Sequence, residues 1–173
     1  ALNADVETFT LGNFANSVIL GSATQNVTGN AAVIDDTVVV GALVATGALN
    51  AGGGAADVLR VGGTLGAATI TGFDTLDITA TSNIAAANAA AAIGATTLTM
   101  AANTGLSMTV AQNTGLQGSA SVAGATQSVT LTDAGTTTAI AGIETYILSV
   151  GTNDLTTGSA GVTVNANELL NGQ

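Results

Sequence analysis

Any chemistry in this chain must be done with oxygen. Its 173 residues include no His and no Cys, and Arg60 is the one basic side chain. What remains is carboxylate and hydroxyl, and these recur in a phrase: Asp5-Val6-Glu7-Thr8-Phe9, Gly72-Phe73-Asp74-Thr75-Leu76 and Gly142-Ile143-Glu144-Thr145-Tyr146. Paired carboxylates can hydrolyse glycosides, but such clefts are lined with aromatic rings, and aromatics make up 2% of the chain with no Trp at all. Tyr146 and Arg60 have no evident catalytic partner in the sequence, so enzyme activity is not expected. The acidic-Thr pairs Glu7-Thr8, Asp74-Thr75 and Glu144-Thr145 read as structural corners. A carboxylate there can accept backbone N–H bonds from the next rung and close the turn.

Such corners need strands on either side, and the sequence supplies them. Strand-like runs occur at 8–11, 17–20, 25–28, 37–40, 58–61, 68–71, 76–79, 97–100, 107–110, 128–132, 145–150 and 162–164, most followed by Gly, Asn or Asp. Neighbouring runs often lie nine to eleven residues apart, the spacing of one strand and one turn in coiled β structure. The fold expected is all-β, a repetitive β-solenoid of the parallel β-helix or β-roll kind. Acidic positions 7, 74 and 144 are 67 and 70 residues apart, which suggests repeat units 1–71, 72–141 and a partial 142–173, cut from a longer array. Shorter echoes agree: Ala23-Thr24-Gln25-Asn26-Val27-Thr28 returns at 125–130, and Asn103-Thr104-Gly105-Leu106 returns at 113–116. The Ala-rich stretch 83–93, with Ser82 or Asn83 as N-cap and Gly94 as C-cap, predicts one short helix.

One Gly-rich turn carries a more specific pattern, Gly52-Gly53-Gly54-Ala55-Ala56-Asp57-Val58-Leu59. It resembles the calcium-binding nonapeptide of RTX proteins, with Ala55 where that family has Gly. Glycines permit positive φ and turn carbonyl oxygens inward, Asp57 adds a carboxylate, and Ca²⁺ accepts six to eight such hard oxygens. Asp35-Asp36 and Asp154 stand in degenerate echoes of the same turn. The order of Gly-rich turn followed by Gly-[Phe/Ile]-acid-Thr strand is similar to units of bacterial surface-layer and type I-secreted surface proteins. That resemblance implies Ca²⁺ ligation at Gly52, Gly53, Gly54, Asp57, Asp35, Asp36 and Asp154, an extracellular location and Ca²⁺-assisted assembly.

Composition narrows the partners. Net charge is −10, which disfavours nucleic acid, whose binding rests on neutralising phosphates, and disfavours an anionic membrane surface. No stretch is long and apolar enough for a transmembrane helix. Pro is absent and Gly numbers 23, so turns must come from Gly, Asn and Asp. The function expected is a structural, self-associating segment of a secreted bacterial surface protein. Two other readings are a passive spacer and an ice-binding solenoid. The latter rests on Thr-x-Thr triplets at 69–71, 79–81, 97–99 and 130–132.

Overall fold

The computed structural model describes all residues except 31–33, 89–92, 118–119, 123–125, 159–160 and 167–173, with backbone only for 120–122. The chain winds into a parallel β-solenoid of about 7 turns. It opens with β1 (Thr8–Thr10) and β2 (Ser17–Ile19). Then come β3 (Asn26–Asn30), β4 (Thr37–Gly41) and β5 (Val44–Ala45), and after them β6 (Ala48–Gly52), β7 (Val58–Val61) and β8 (Thr64–Leu65). The next coil holds β9 (Thr69–Thr71), β10 (Thr75–Ile78) and β11 (Ser82–Asn83), and the one after it β12 (Thr97–Met100) and β13 (Gly105–Met108). A short helix α1 (Val110–Gly115) precedes β14 (Ala120–Val122) and β15 (Ser128–Leu131). The chain finishes with β16 (Thr136–Thr138), β17 (Thr145–Ile147), β18 (Asp154–Thr156) and β19 (Thr163–Asn165).

Successive coils place equivalent strands beside each other, so three long sheets run along the rod. The first is β1-β3-β6-β9, the second β2-β4-β7-β10-β12-β14, and the third β5-β8-β11-β13-β15-β17-β19; β16-β18 forms a short fourth. Register partners lie between 17 residues apart (Val58 with Thr75) and 24 (Ser82 with Leu106).

The alternation of strand side chains writes the core. In the second sheet Val18, Val38, Leu59, Leu76 and Leu98 stack in one inward column through the register, each 5% exposed or less. In the first sheet Phe9, Val27, Leu49 and Ile70 do the same. Between these inward positions Thr, Ser and Asn face out, joined in the second sheet by Ile19, Val39, Arg60 and Asp77. A bulge between Val39 and Gly41 sets Val40 as an extra buried residue before the ladder resumes at Val61.

All twelve strand-like runs overlap strands. The Ala-rich stretch differs from expectation: Ser82 and Asn83 form β11, residues 85–88 form a turn, and 89–92 lie outside the described residues. Asn88 adopts φ 46, and its side-chain amide pairs with both the N–H and the C=O of Ile70 at 3.0 and 2.8 Å. A side chain thus continues the first sheet where, among the described residues, β9 is the last strand. The helix lies instead at 110–115, where Thr109 and Gln112 form a reciprocal capping box.

Because each inward column is continuous, a hole in it touches two neighbouring coils. Leu59→Ala is expected to cost about 2–5 kcal/mol, and Thr71→Ala, on the exposed face, less than ~0.5 kcal/mol. Urea unfolding of both variants checks this, and similar small losses would show that the column does not hold the coils together.

Candidate functional site

The sequence singled out carboxylates, and the fold brings three of them to one corner. Thr37, Val58 and Thr75 are register partners at the start of β4, β7 and β10, so the residues before them, Asp36, Asp57 and Asp74, stack on successive coils. Each carboxylate reaches back one coil. Asp36 Oδ1 accepts the Asn16 N–H at 2.8 Å, Asp57 Oδ1 the Asp36 N–H at 2.6 Å, and Asp74 Oδ2 the Asp57 N–H at 3.0 Å. In the third sheet Glu144 Oε2 takes the Gln127 N–H in the same way, at 2.8 Å. Corner N–H groups point out of the ladder, and a charged acceptor satisfies them strongly. The reach is toward the preceding rung, opposite to the direction read from the sequence.

The remaining phrase residues divide between these roles. Thr75 and Thr145 open β10 and β17, and their N–H groups bond to Asp57 O and Gln127 O. Thr8 opens β1, and Glu7 offers its carbonyl to Asn26 N at 2.8 Å. The three phrases therefore start strands of three different sheets, and the structural repeat is the coil.

Asp57 is the most constrained of these acids. It has no exposed surface, and its Oδ2 has no hydrogen-bond partner. Burial pushes its carboxyl above the ordinary value of 3.8; the Asp36 N–H opposes this, and the charges of Asp36 and Asp74 add to it. The Gly54 N–H approaches the carboxylate and eases the charge slightly without closing a bond to Oδ2. Gly54 has to be Gly, since a Cβ there would lie 2.6 Å from both carboxylate oxygens and from Ile34 O.

Of the residues expected to ligate Ca²⁺, Gly54, Asp57, Asp35 and Asp36 meet at one turn, and the others lie apart from it. Gly52 and Gly53 border a shallow groove of about 390 Å³ with Gly29, Asn30 and Asn50, with no carboxylate on its described wall. Asp35 Oδ1 accepts the N–H groups of Ala56 and Ala55 at 2.9 and 3.3 Å. Asp154 sits exposed on β18, in the fourth sheet. Among the described residues no three acidic side chains gather closely enough to hold a metal ion. The Asp35 and Asp36 carboxylates accept backbone N–H groups of neighbouring coils, while Asp57 Oδ2 is left without a partner.

No family model, no curated protein and no solved structure matches the chain.

The Thr-x-Thr triplets are spread over the rod. Residues 69–71 lie on the first sheet, 97–99 on the second and Thr130 on the third, while Thr79 and Thr81 sit at the corner between β10 and β11. They form no common rank.

Sequence reasoning missed the buried amides. Gln25 Nε2 donates to Asn3 O and Val6 O, and its Oε1 accepts from Gly21 and Ser22. Gln112 Nε2 donates to Ile84 O and Ala87 O. The signal was present in the echo that places Gln25 and Gln127 each just before a strand. Tyr146 was also missed as a bracket: its hydroxyl accepts the Ile140 N–H at 2.8 Å and donates to Asn113 Oδ1 at 2.9 Å. Asn113 in turn donates to Thr137 and Thr138, so one phenol ties α1 to the last coils.

Removing that hydroxyl strands two buried partners. Tyr146→Phe is expected to lose about 1–3 kcal/mol, measured by urea unfolding; a neutral result would show that the bracket carries no stability. Burial also pushes the phenol up to about 12 from 10.0, with the Ile140 N–H opposing. The folded state therefore keeps this proton where the unfolded chain has lost it. Wild-type stability should drop as pH rises between those two values, and Tyr146→Phe should not show that drop.

Proposed function

We propose that this chain is a structural, self-associating segment of a secreted bacterial cell-surface protein of surface-layer or RTX-like type. The observation that carries the reading is the condition of the rod's ends. β2 is the outermost strand of the second sheet at one end, with the Leu2 N–H on its Ile19 carbonyl, and β19 is the outermost strand of the third sheet at the other; β5, the last strand of the third sheet, is met by the first coil through Thr46 N–H to Ala23 O. Natural edges are blunted by Lys, Pro or inward charge, and this chain has no Pro and no Lys. Instead the edges carry apolar side chains. Ile19 on β2 is 45% exposed, Val44 on β5 54% and Val164 on β19 43%, with Phe14 in the adjoining loop at 80%.

A parallel edge with apolar side chains accepts another parallel strand, and a neighbouring protomer or repeat can supply it. The absence of Cys and of any clustered catalytic group supports a scaffold role, and the acid-rich, base-poor surface supports a location away from nucleic acid. The RTX-like turn and the acid-Thr phrase support the surface-protein family by resemblance. No helix among the described residues is long and apolar enough to cross a membrane. The reading does not depend on calcium.

Sedimentation velocity over a hundredfold concentration range tests it. Wild type is expected to form concentration-dependent oligomers, and Ile19→Lys with Val44→Lys to shift them toward monomer while the β-type circular dichroism is retained. A wild type that stays monomeric throughout, in both Ca²⁺ and chelator, would overturn self-association through these edges.

A further inference from the structure

We propose that the outward face of the first sheet, β1-β3-β6-β9, binds the surface of ice. Register assembles two ranks of side chains there across four consecutive coils. One rank is Thr10, Thr28, Asn50 and Thr71, each the direct partner of the next. Two residues earlier on each strand stand Thr8, Asn26, Ala48 and Thr69, with Asn26 Oδ1 accepting the Ala48 N–H at 2.8 Å. Of the Thr-x-Thr triplets at 69–71, 79–81, 97–99 and 130–132, only the first contributes. The other members are brought side by side by the coil and not by their spacing in the chain. These three pairings carry no register shift, unlike the second sheet between Val39 and Gly41. This function is separate from association through the edges.

The chemistry of this face sets it apart from the other two. β1, β3, β6 and β9 hold no charged residue, and none of the exposed large apolar side chains lies on them. The second face instead presents Ile19, Arg60 and Asp77, and the third Val44 and Ile147. Thr8, Thr10, Thr28, Thr69 and Thr71 are exposed, and among the described residues their hydroxyls have no protein partner. Elsewhere Thr46, Thr79, Thr96, Thr99 and Thr132 spend theirs on a neighbouring coil. A free hydroxyl offers water one donor and two acceptor sites, and β-branching restricts where it points. Strands lie ~4.8 Å apart, and side chains on one face recur every ~6.6 Å along a strand. The hydroxyls therefore stand at regular intervals in two directions, the shorter close to the oxygen repeat within a layer of hexagonal ice. Water held on such an array is ordered before a crystal meets it, so little ordering is left for the moment of contact. A charged side chain would gather water around itself and spoil the lattice, and this face has none.

Single ice crystals grown in solutions of the full chain test the assignment. Wild type is expected to facet the crystal and to hold its size over a gap between melting and freezing temperatures. Thr28→Lys sets a charge in the middle of the rank and is expected to lose most of that gap. Thr130→Lys, on the third sheet, is expected to keep it. Unshaped crystals and no gap with wild type overturn the proposal, and so does an equal loss in both variants with the β-type circular dichroism retained. Should Thr28→Lys fail to fold, Thr10→Lys on β1, the outermost strand of the sheet, takes its place with the same expectations. Sedimentation velocity of the rank variant is expected to match wild type, because β2 and β19 are untouched. Oligomers lost with that substitution would make the face a contact between copies and overturn the ice assignment.

Discussion

A parallel solenoid satisfies its strand backbones automatically and its corners not at all. Along β4, β7 and β10 each N–H finds a carbonyl on the adjacent coil, but where the chain turns the ladder breaks and donors are left pointing at nothing. In this molecule the corner donors are met by side chains from the following coil. Asp36, Asp57, Asp74 and Glu144 each hold an N–H of the coil before. Amides do comparable work where the gap is wider, as Gln25 and Gln112 do with two carbonyls each. This explains a composition that looks unbalanced in isolation. A chain with eleven acids and one base has a single basic side chain to pair, Arg60 with Asp77, and the corner acids answer to backbone N–H groups instead.

The apolar columns depend on those corners. A column such as Val38–Leu59–Leu76–Leu98 exists only while register is kept, and a slip of one residue would turn every inward Leu outward. Corner bonds pin that register at the first residue of each strand, where a slip would begin. The same logic holds where a sheet stops. Among the described residues β9 is the last strand of the first sheet, yet the Asn88 amide bonds to both the N–H and the C=O of Ile70, and α1 is fastened beyond it through Asn113 and Tyr146. The sheets are interrupted, and the hydrogen bonding is not.

Strand positions were legible in the sequence because Val, Ile, Leu and Thr alternate in short runs, and that signal is local. The strands that sequence reading missed, β5, β6, β8, β11, β14, β16 and β18, are two or three residues long or read as Ala48-Leu49-Asn50-Ala51-Gly52, too short or too poor in β-formers to stand out. They are strands because a neighbouring coil offers a ladder, which is tertiary context. The Asn-Thr-Gly-Leu echo shows the same limit. At 103–106 it is a turn with Asn103 at φ 59 that enters β13, and at 113–116 it ends α1 with Asn113 buried. Identical residues take the conformation that their neighbours dictate. The carboxylate corner was legible as a role but not as a stack, since 36, 57 and 74 are unevenly spaced in the chain and only register aligns them.

The acid-Thr phrase gains a physical meaning from where it falls. The two copies that begin with Gly coincide with the shortest coils of the rod: Val58 pairs with Thr75 and Ser128 with Thr145, each 17 residues on. A short coil has to turn sharply. Gly72 and Gly142 supply φ of 75 and 85, a conformation that other residues adopt at a cost. Phe73 and Ile143, 3% and 2% exposed, plug the corner from inside, and Asp74 and Glu144 reach back to hold the preceding coil. The copy at 5–9 has Asp5 in place of the Gly, its apolar Val6 is 37% exposed, and Glu7 contributes a carbonyl to the corner. In its two Gly-led copies the phrase therefore serves as a device for compact corners. The same device sets Asp74 directly upon Asp57, while Asp36 lies one longer coil of 21 residues before it.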